Sequence, residues 1–137
     1  MASHRVRGDK IRKIVILDSS ALLMFFEFSV DWEKELARLL DAYEIVVPGA
    51  VIQELTILST RGRIGEKQRN AKAALTYALR YEVVQTQATH ADDAIVEAAK
   101  KVQGIVFTND AGLRRRLRNE DIPVLLLRGR KKLILDG

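Results

Sequence analysis

Two hydrophobic patterns alternate along the chain. Short runs of consecutive aliphatic residues are typical of strands buried on both faces of a parallel sheet, whereas apolar residues three or four positions apart indicate one face of a helix. The runs that predict strands are residues 13–17, 44–47, 83–84, 105–107 and 123–127, with a further short one at 133–135. The segments that predict helices are residues 21–28, 32–40, 48–58, 66–81, 89–102 and 111–118.

Strands that alternate with helices indicate an α/β fold, a three-layer sandwich in which helices cover both faces of a central parallel sheet. A chain of 137 residues, without internal repeats or a linker-like run, suits one domain. We therefore predict a single domain over residues 11–137, preceded by a basic N-terminal tail over residues 1–10.

The composition excludes several classes of protein. Hydrophobic residues make up 47% of the chain and only two prolines are present, so we expect a packed core and no long disordered segment. Because the chain has no cysteine, disulfides, thiolate zinc sites and cysteine nucleophiles are excluded. No apolar stretch approaches the roughly 18 residues that span a bilayer, and the basic start lacks a signal region. We expect a soluble, cytoplasmic protein without membrane contacts.

Charge is distributed unevenly. Residues 1–13 carry five basic and one acidic side chain, and residues 111–137 carry eight and three, so the two ends total +9. The middle, residues 14–110, has ten basic and fourteen acidic side chains, a balance of −4. Basic ends around an acidic middle suit a protein that attracts a polyanion and keeps carboxylates for a cation, although ordinary solvated surface charge would give the same totals.

Acidic residues stand where the predicted strands end. Asp18 and Asp110 each follow a strand directly, and Glu54 lies within two turns of the start of a helix. Ligand sites of parallel sheets lie beyond the carboxyl ends of the strands, so these side chains are candidates for one site. Each also has a simpler interpretation, since the two aspartates would serve as helix caps and Glu54 as a solvent-facing residue.

Two adjacent aspartates, Asp92 and Asp93, open the helix over residues 89–102. Thr89 and Asp92 have the spacing of a capping box. At 100° per residue, Asp92 lies about 60° from the apolar stripe of this helix, whereas Asp93 lies on the opposite side. Helix phase therefore favours Asp92 as the inward carboxylate.

Converging carboxylates would need a cation. At 4 Å and an effective dielectric near 20, each ionised pair costs about 4 kcal/mol. Oxygen ligands favour Mg²⁺ or Mn²⁺, and such ions activate water and stabilise the leaving oxygen in phosphodiester cleavage. The only histidines are His4 and His90, which makes a two-histidine ribonuclease mechanism a poor fit, and no phosphate-binding glycine loop is present.

Four acidic blocks in this order resemble those of the PIN-domain nucleases. The blocks are Leu-Asp-Ser-Ser-Ala-Leu at residues 17–22, Val-Pro at 47–48 leading to Glu-Leu at 54–55, Thr-His-Ala-Asp-Asp at 89–93, and Thr-Asn-Asp at 108–110. The resemblance spans residues 11–127. It implies a five-stranded parallel sheet and an endoribonuclease that uses Mg²⁺ or Mn²⁺.

The resemblance also implies roles for individual residues. Asp18, Glu54 and Asp110 match the acidic positions of the family, and Ser20 matches a polar residue found two places after the first acid. The remaining acid is left open between Asp92, which the capping spacing selects, and Asp93, which the following small and aliphatic residues select. Thr108 and Asn109 are expected to support the acids. The family includes toxins of toxin–antitoxin pairs and small-subunit rRNA-processing nucleases, which implies an antitoxin or a ribosome-assembly partner, and homodimers are common in it.

Arginines follow the last acid within about two turns of a helix. We expect these side chains to contact RNA phosphates and to position the strand over the acids. The four candidates are Arg114, Arg115, Arg116 and Arg118. Two alternative functions remain: a catalytically silent RNA-binding or assembly module of the same fold, and a phosphatase of the haloacid dehalogenase type. The phosphatase requires a second aspartate where this chain has Ser20.

Overall fold

The computed structural model describes residues 4–7, 10–61, 65–129 and 131–137, with side chains from Arg12 onward. These ranges contain seven strands and six helices. The strands are β1 His4–Arg7, β2 Lys10–Leu17, β3 Tyr43–Pro48, β4 Glu82–Val84, β5 Ile105–Phe107, β6 Val124–Arg128 and β7 Lys132–Asp136. The helices are α1 Ser19–Glu27, α2 Trp32–Leu40, α3 Gly49–Thr60, α4 Glu66–Ala78, α5 Ala91–Val102 and α6 Ala111–Asn119.

One mixed sheet organises the fold, with the strand order β4-β3-β2-β5-β6-β7. The first five of these strands are mutually parallel, which confirms the predicted five-stranded parallel sheet with flanking helices. The antiparallel strand β7 extends the sheet beyond β6 and corresponds to the short strand predicted at residues 133–135. Every helix in the described ranges is too short or too polar to cross a bilayer.

The strand β1 was not predicted. It pairs antiparallel with the start of β2, from His4 opposite Lys13 to Arg7 opposite Lys10. Residues 4–7 and 10 therefore form strand in a segment that the sequence predicted to be a tail, and residues 1–3 and 8–9 lie outside the described residues. Four residues give too short a pattern to indicate a strand, and the pairing depends on the portion of β2 that precedes its contacts with β3 at Lys13.

The core lies around the central strand β2. Val15, Ile16 and Leu17 are fully buried, so the sheet is covered on both of its faces here, as the unbroken aliphatic run predicted. Phe107 of β5 and Leu22 of α1 are equally buried. A rigid, buried β2 fixes the position of the residue that follows it, which is Asp18.

The outer edge of β7 is closed by two side chains of α2. The Leu133 backbone N–H donates to Glu35 Oε1 at 3.0 Å, and Arg38 donates to the Leu133 carbonyl at 3.0 Å. Hydrogen bonds from Arg38 and from the Leu133 N–H lower the pKa of Glu35 below its ordinary value. Open edges invite pairing with other chains, and this ion pair occupies the Leu133 groups that a further strand would use.

Candidate active site

Asp18 lies at the carboxyl end of β2, and its side chain is almost completely buried. Its Oδ1 accepts a hydrogen bond from the Ser19 N–H at 2.8 Å, so Asp18 caps α1. Its Oδ2 accepts from Ser20 Oγ and from Thr108 Oγ1, each at 2.7 Å. The capping role that the sequence offered as the simpler interpretation of Asp18 is therefore confirmed, and the same carboxylate also accepts two side-chain hydrogen bonds.

The two hydroxyls that donate to Asp18 also hold the loop between β5 and α6. Thr108 Oγ1 accepts from the Asp110 N–H at 3.0 Å, and Ser20 Oγ accepts from the Asn109 N–H at 3.2 Å. Each hydroxyl has one proton, and both protons are directed at Asp18, so the 3.2 Å approach of Ser20 Oγ to Thr108 Oγ1 adds no further hydrogen bond. One buried carboxylate thus joins the ends of two neighbouring strands.

Asn109 fixes the same loop from its other side. Its Oδ1 accepts from the Leu127 N–H at 2.8 Å, and its Nδ2 donates to the Leu127 carbonyl at 3.4 Å. The carboxamide therefore makes the two hydrogen bonds that a backbone peptide group would make, and it extends the pairing of β5 with β6 beyond its last pair, Phe107 and Leu125. Its partner is 18 residues away in the chain, and no sequence pattern indicated this contact.

Asp110 and Asp92 stand at helix starts close to this network. Asp110 caps α6, with Oδ1 accepting from the Leu113 N–H at 3.0 Å. Burial raises the pKa of Asp92 above its ordinary value, and the negative charges of Asp18 and Asp110 raise it further, against the opposing effect of Arg116. Asp18 and Asp110, from two other segments of the chain, therefore lie close enough to Asp92 at the carboxyl edge of the sheet for their charges to act on it.

The two adjacent aspartates of α5 have different surroundings. Asp93 forms an ion pair with Arg116, with Oδ1 to Nη1 at 2.6 Å, whereas Asp92 is the one whose pKa responds to Asp18. The predicted capping box was wrong, since the helix begins at Ala91 and His90 is its N-cap residue without a side-chain capping bond. Asp92 consequently stands at the second helical position.

Glu54 lies on α3, half-buried, and its Oε1 is buried without a hydrogen-bond partner. It lines a depression together with His90 of the α5 start. A buried acceptor that makes no hydrogen bond is costly, about 1–3 kcal/mol for a typical polar group and more for a charged one. This oxygen is therefore a suitable place for a donor or a cation.

The predicted carboxylates do not form a complete metal-binding site in this arrangement of their side chains. Across the described ranges, no three Asp, Glu or His side chains are grouped so that they could hold one metal ion between them. Ionised carboxylates repel one another, and Asp18 and Asp110 are each also held by capping bonds. Their chemistry nevertheless suits a hard divalent cation, because every donor is an oxygen and Asp18 uses about three of its four acceptor directions within the protein.

The four predicted RNA-binding arginines divide into two pairs. Arg116 is engaged with Asp93, and Arg118 with Asp136 of β7. Within the part of the chain that the structure describes, no ion pair involves Arg114 or Arg115. A guanidinium nitrogen of Arg115 lies 3.9 Å from the place that a Cβ at Gly112 would occupy, in the first turn of α6 beside Asp110. Arg115 thus extends towards the acids.

Replacing Thr108 tests the network around Asp18. Thr108→Val keeps the side-chain shape but leaves the Asp110 N–H and one acceptor direction of Asp18 without their partner, so we expect it to lower the free energy of unfolding by about 1–3 kcal/mol. Thr108→Ser keeps the hydroxyl and should lose less than half as much. Urea unfolding followed by circular dichroism measures both changes, and equal losses in the two variants would show that the hydroxyl contributes nothing.

Comparison with known proteins places the chain among recognised relatives. A family model described as "PIN like domain" matches residues 15–130. Ribonuclease VapC4 of Methanocaldococcus jannaschii is 31% identical over 126 residues, which cover 90% of this chain and 96% of that protein. Ribonuclease VapC9 of Archaeoglobus fulgidus is 29% identical over 136 residues, which cover 99% and 98%.

Solved structures give the same result for the fold. The PIN domain endonuclease Utp24 superposes with a TM-score of 0.73 at 26% identity, covering 90% of this chain and 91% of that one. A domain of a functionally unknown protein from Methanocaldococcus jannaschii superposes with a TM-score of 0.60 at 18% identity, covering 85% and 91%. The second likeness concerns the fold alone.

Proposed function

The chain belongs to the PIN-like domain family, and from this premise we propose that it is a divalent-metal-dependent endoribonuclease. The observation that carries the proposal is the convergence of three aspartates at the carboxyl edge of the sheet: Thr108 bonds both Asp18 and the Asp110 N–H, and the charges of Asp18 and Asp110 raise the pKa of Asp92. Similarity to two proteins named ribonucleases and to one named endonuclease supports phosphodiester hydrolysis in RNA.

The residues that would hold Mg²⁺ or Mn²⁺ are Asp18, Asp92, Asp110 and Glu54. A bound divalent ion supplies an activated water and charge stabilisation for the departing oxygen. Burial and the charges of Asp18 and Asp110 raise the pKa of Asp92, so a nearby positive charge would favour its ionised form. Ser20 and Thr108 hold Asp18 in one orientation, which leaves the carboxylate preorganised.

Arg114 and Arg115 are the side chains that we assign to the RNA phosphates. They stand on α6, the helix that Asp110 caps, and neither is used in an ion pair among the described residues. Arg116 has a different role in this proposal, because it holds Asp93 and lowers the pKa of Asp92. A partner protein and a second copy of the chain remain predictions of the sequence.

Removal of the metal tests the proposal. We expect the purified protein to cleave a 5′-labelled single-stranded RNA internally when Mg²⁺ or Mn²⁺ is present, to stop in excess chelator, and to recover when the ion is added back. Gel analysis of the labelled products measures all three states. An Asp18→Asn preparation purified in the same way controls for contaminating nuclease.

Three outcomes would contradict the proposal. Cleavage that continues in excess chelator would exclude the metal-dependent reaction. RNA that is bound but never cleaved, with either ion, would favour the catalytically silent RNA-binding module. Release of phosphate from small phosphomonoesters without RNA cleavage would instead favour the phosphatase.

A further inference from the structure

A groove runs along α3 away from Glu54. Its first part, with a volume of about 350 Å³, is lined by residues that include Ala50, Gln53, Glu54, Ile57, Leu58 and His90. A second depression of about 290 Å³ shares Ala50 and Gln53 with it and continues towards Gln85, just after β4. We name this surface, between α3 and the segment that joins β4 to α5, the α3 groove.

The lining of the α3 groove differs from that of the arginine helix. Ile57 and Leu58 are large hydrophobic residues that remain 47% and 43% exposed, and Ala50 continues the apolar surface. No lysine or arginine is found among the described residues that line the groove. The groove is therefore poorly suited to phosphates, which Arg114 and Arg115 of α6 are placed to receive.

Polar groups stand beside this apolar surface. The carboxamide of Gln53 is exposed on α3, and the Gln85 side chain reaches the start of the same helix, where its Oε1 lies 3.2 Å from the place that a Cβ at Gly49 would occupy. The imidazole of His90 makes no capping bond to α5, although His90 is the N-cap residue. Proteins hold unstacked bases between aromatic or apolar side chains and read their edges with hydrogen-bonding groups, and this groove offers aliphatic side chains, amides and one imidazole.

The groove is continuous with the acids. Glu54 belongs both to its lining and to the carboxylates that we assign to the metal, and the strand order places β4 and β3 on one side of Asp18 and β5 with α6 on the other. The groove is also bordered by Thr89, His90 and Ala91, which directly precede Asp92 at the start of α5. An RNA strand crossing the acids with its phosphates at α6 would present its next base to α3.

We propose that the α3 groove binds the base of a nucleotide next to the cleaved phosphodiester, with Ile57 and Leu58 against its face and Gln53 at its hydrogen-bonding edge. This inference rests on the proposed function for the identity of the substrate. It adds a specificity-determining surface to an enzyme whose aromatic content, 6% of residues, gives no stacking pattern in the sequence.

Abasic scanning of a bound RNA tests this inference without turnover. A fluorescent single-stranded RNA with one abasic nucleotide at each successive position is titrated with wild-type protein in chelator, and anisotropy gives the dissociation constant. We expect one position beside the mapped cleavage point to weaken binding about tenfold when it lacks its base, because the apolar contact with Ile57 and Leu58 and the hydrogen bond to Gln53 are lost. In a Gln53→Ala, Ile57→Ser double variant the same abasic RNA should lose less than about twofold.

Leu79→Ser is the matched control variant. Leu79 is 59% exposed at the end of α4 and is absent from the residues that line the groove, so its replacement should leave the tenfold sensitivity unchanged. The inference is overturned if no position is sensitive, or if the double variant keeps the full loss. Metal-dependent cleavage without an abasic-sensitive position would reject the groove and keep the nuclease. Abasic sensitivity without cleavage would reject the nuclease and, with it, a base site beside a cleaved bond, and failure to bind RNA would reject both.

Discussion

Asp18→Asn should reduce the rate of RNA cleavage at least about 100-fold while leaving the fold intact. Loss of a residue that merely orients a metal ligand typically costs 10–100-fold, so if Asp18 binds the metal directly, as we propose, loss of its charge should reach or exceed the upper end of that range. Asp18 is also the residue around which the active-site hydrogen bonds are organised. Single-turnover cleavage of a labelled RNA, with circular dichroism to verify the fold, measures this effect.

The substitution separates the charge of Asp18 from its capping role. Asparagine is as good an N-cap residue as aspartate, so Asp18→Asn keeps an oxygen for the Ser19 N–H and removes the negative charge. Asp31 is a matched control, because it caps α2 through the Lys34 N–H and makes no contact with the Asp18 network. Asp31→Asn should retain cleavage within about twofold. Equal activity in the two variants would mean that Asp18 is only a helix cap.

Asp92→Asn and Asp93→Asn should differ strongly, although the two residues are adjacent. We expect Asp92→Asn to lower cleavage at least about 100-fold, since Asp92 is the carboxylate coupled to Asp18 and Asp110. Asp93→Asn breaks an exposed ion pair with Arg116, a type of interaction worth about 0–1 kcal/mol, and should lower cleavage by less than about threefold. The same labelled-RNA assay compares both. The opposite ranking would make Asp93 the ligand.

The unfolding temperature reports on the ionisation of Asp92 without requiring that the protein cleave RNA. Its pKa is raised in the folded protein, so the ionised carboxylate destabilises the metal-free fold at neutral pH, and this penalty disappears as the pH falls below the unfolded value of about 3.9. Asp92→Asn should therefore raise the unfolding temperature in chelator at pH 7, with a gain that shrinks towards pH 4. Mg²⁺ should stabilise the wild type more than this variant.

The sequence predicted the order of the helices correctly but misplaced some of the residues at which they begin and end. The helix over residues 66–81 ends at Ala78, and the one over residues 89–102 begins at Ala91. Helical spacing of apolar residues reports which face packs on the core, but the ends depend on caps, and Thr89 offered a suitable side chain that the helix does not use. With Thr89 as the cap, Asp92 would be the third residue of the helix, whereas in the structure it is the second.

The arginines show a second limit of the sequence. All four have the same charge and lie within five residues, so nothing local separates them. Arg116 and Arg118 are engaged because the fold brings Asp93 of α5 and Asp136 of β7 within reach of their guanidinium groups. Whether one of these arginines forms an ion pair within the protein or is free to contact a phosphate therefore depends on residues far away in the sequence.

The sequence by itself determined the succession of strands and helices, the parallel sheet that this succession implies, and the positions of Asp18 and Asp110 directly after strands. Those features follow from local periodicity and from the rule that parallel strands end at a common edge. Only the tertiary structure decided that Thr108 and Ser20 share Asp18, that Asn109 continues the β5–β6 ladder at Leu127, and that β1 pairs with β2. These contacts join side chains or strands whose partners lie elsewhere in the chain, and a pattern read along the backbone carries no information about which distant group will complete a hydrogen bond.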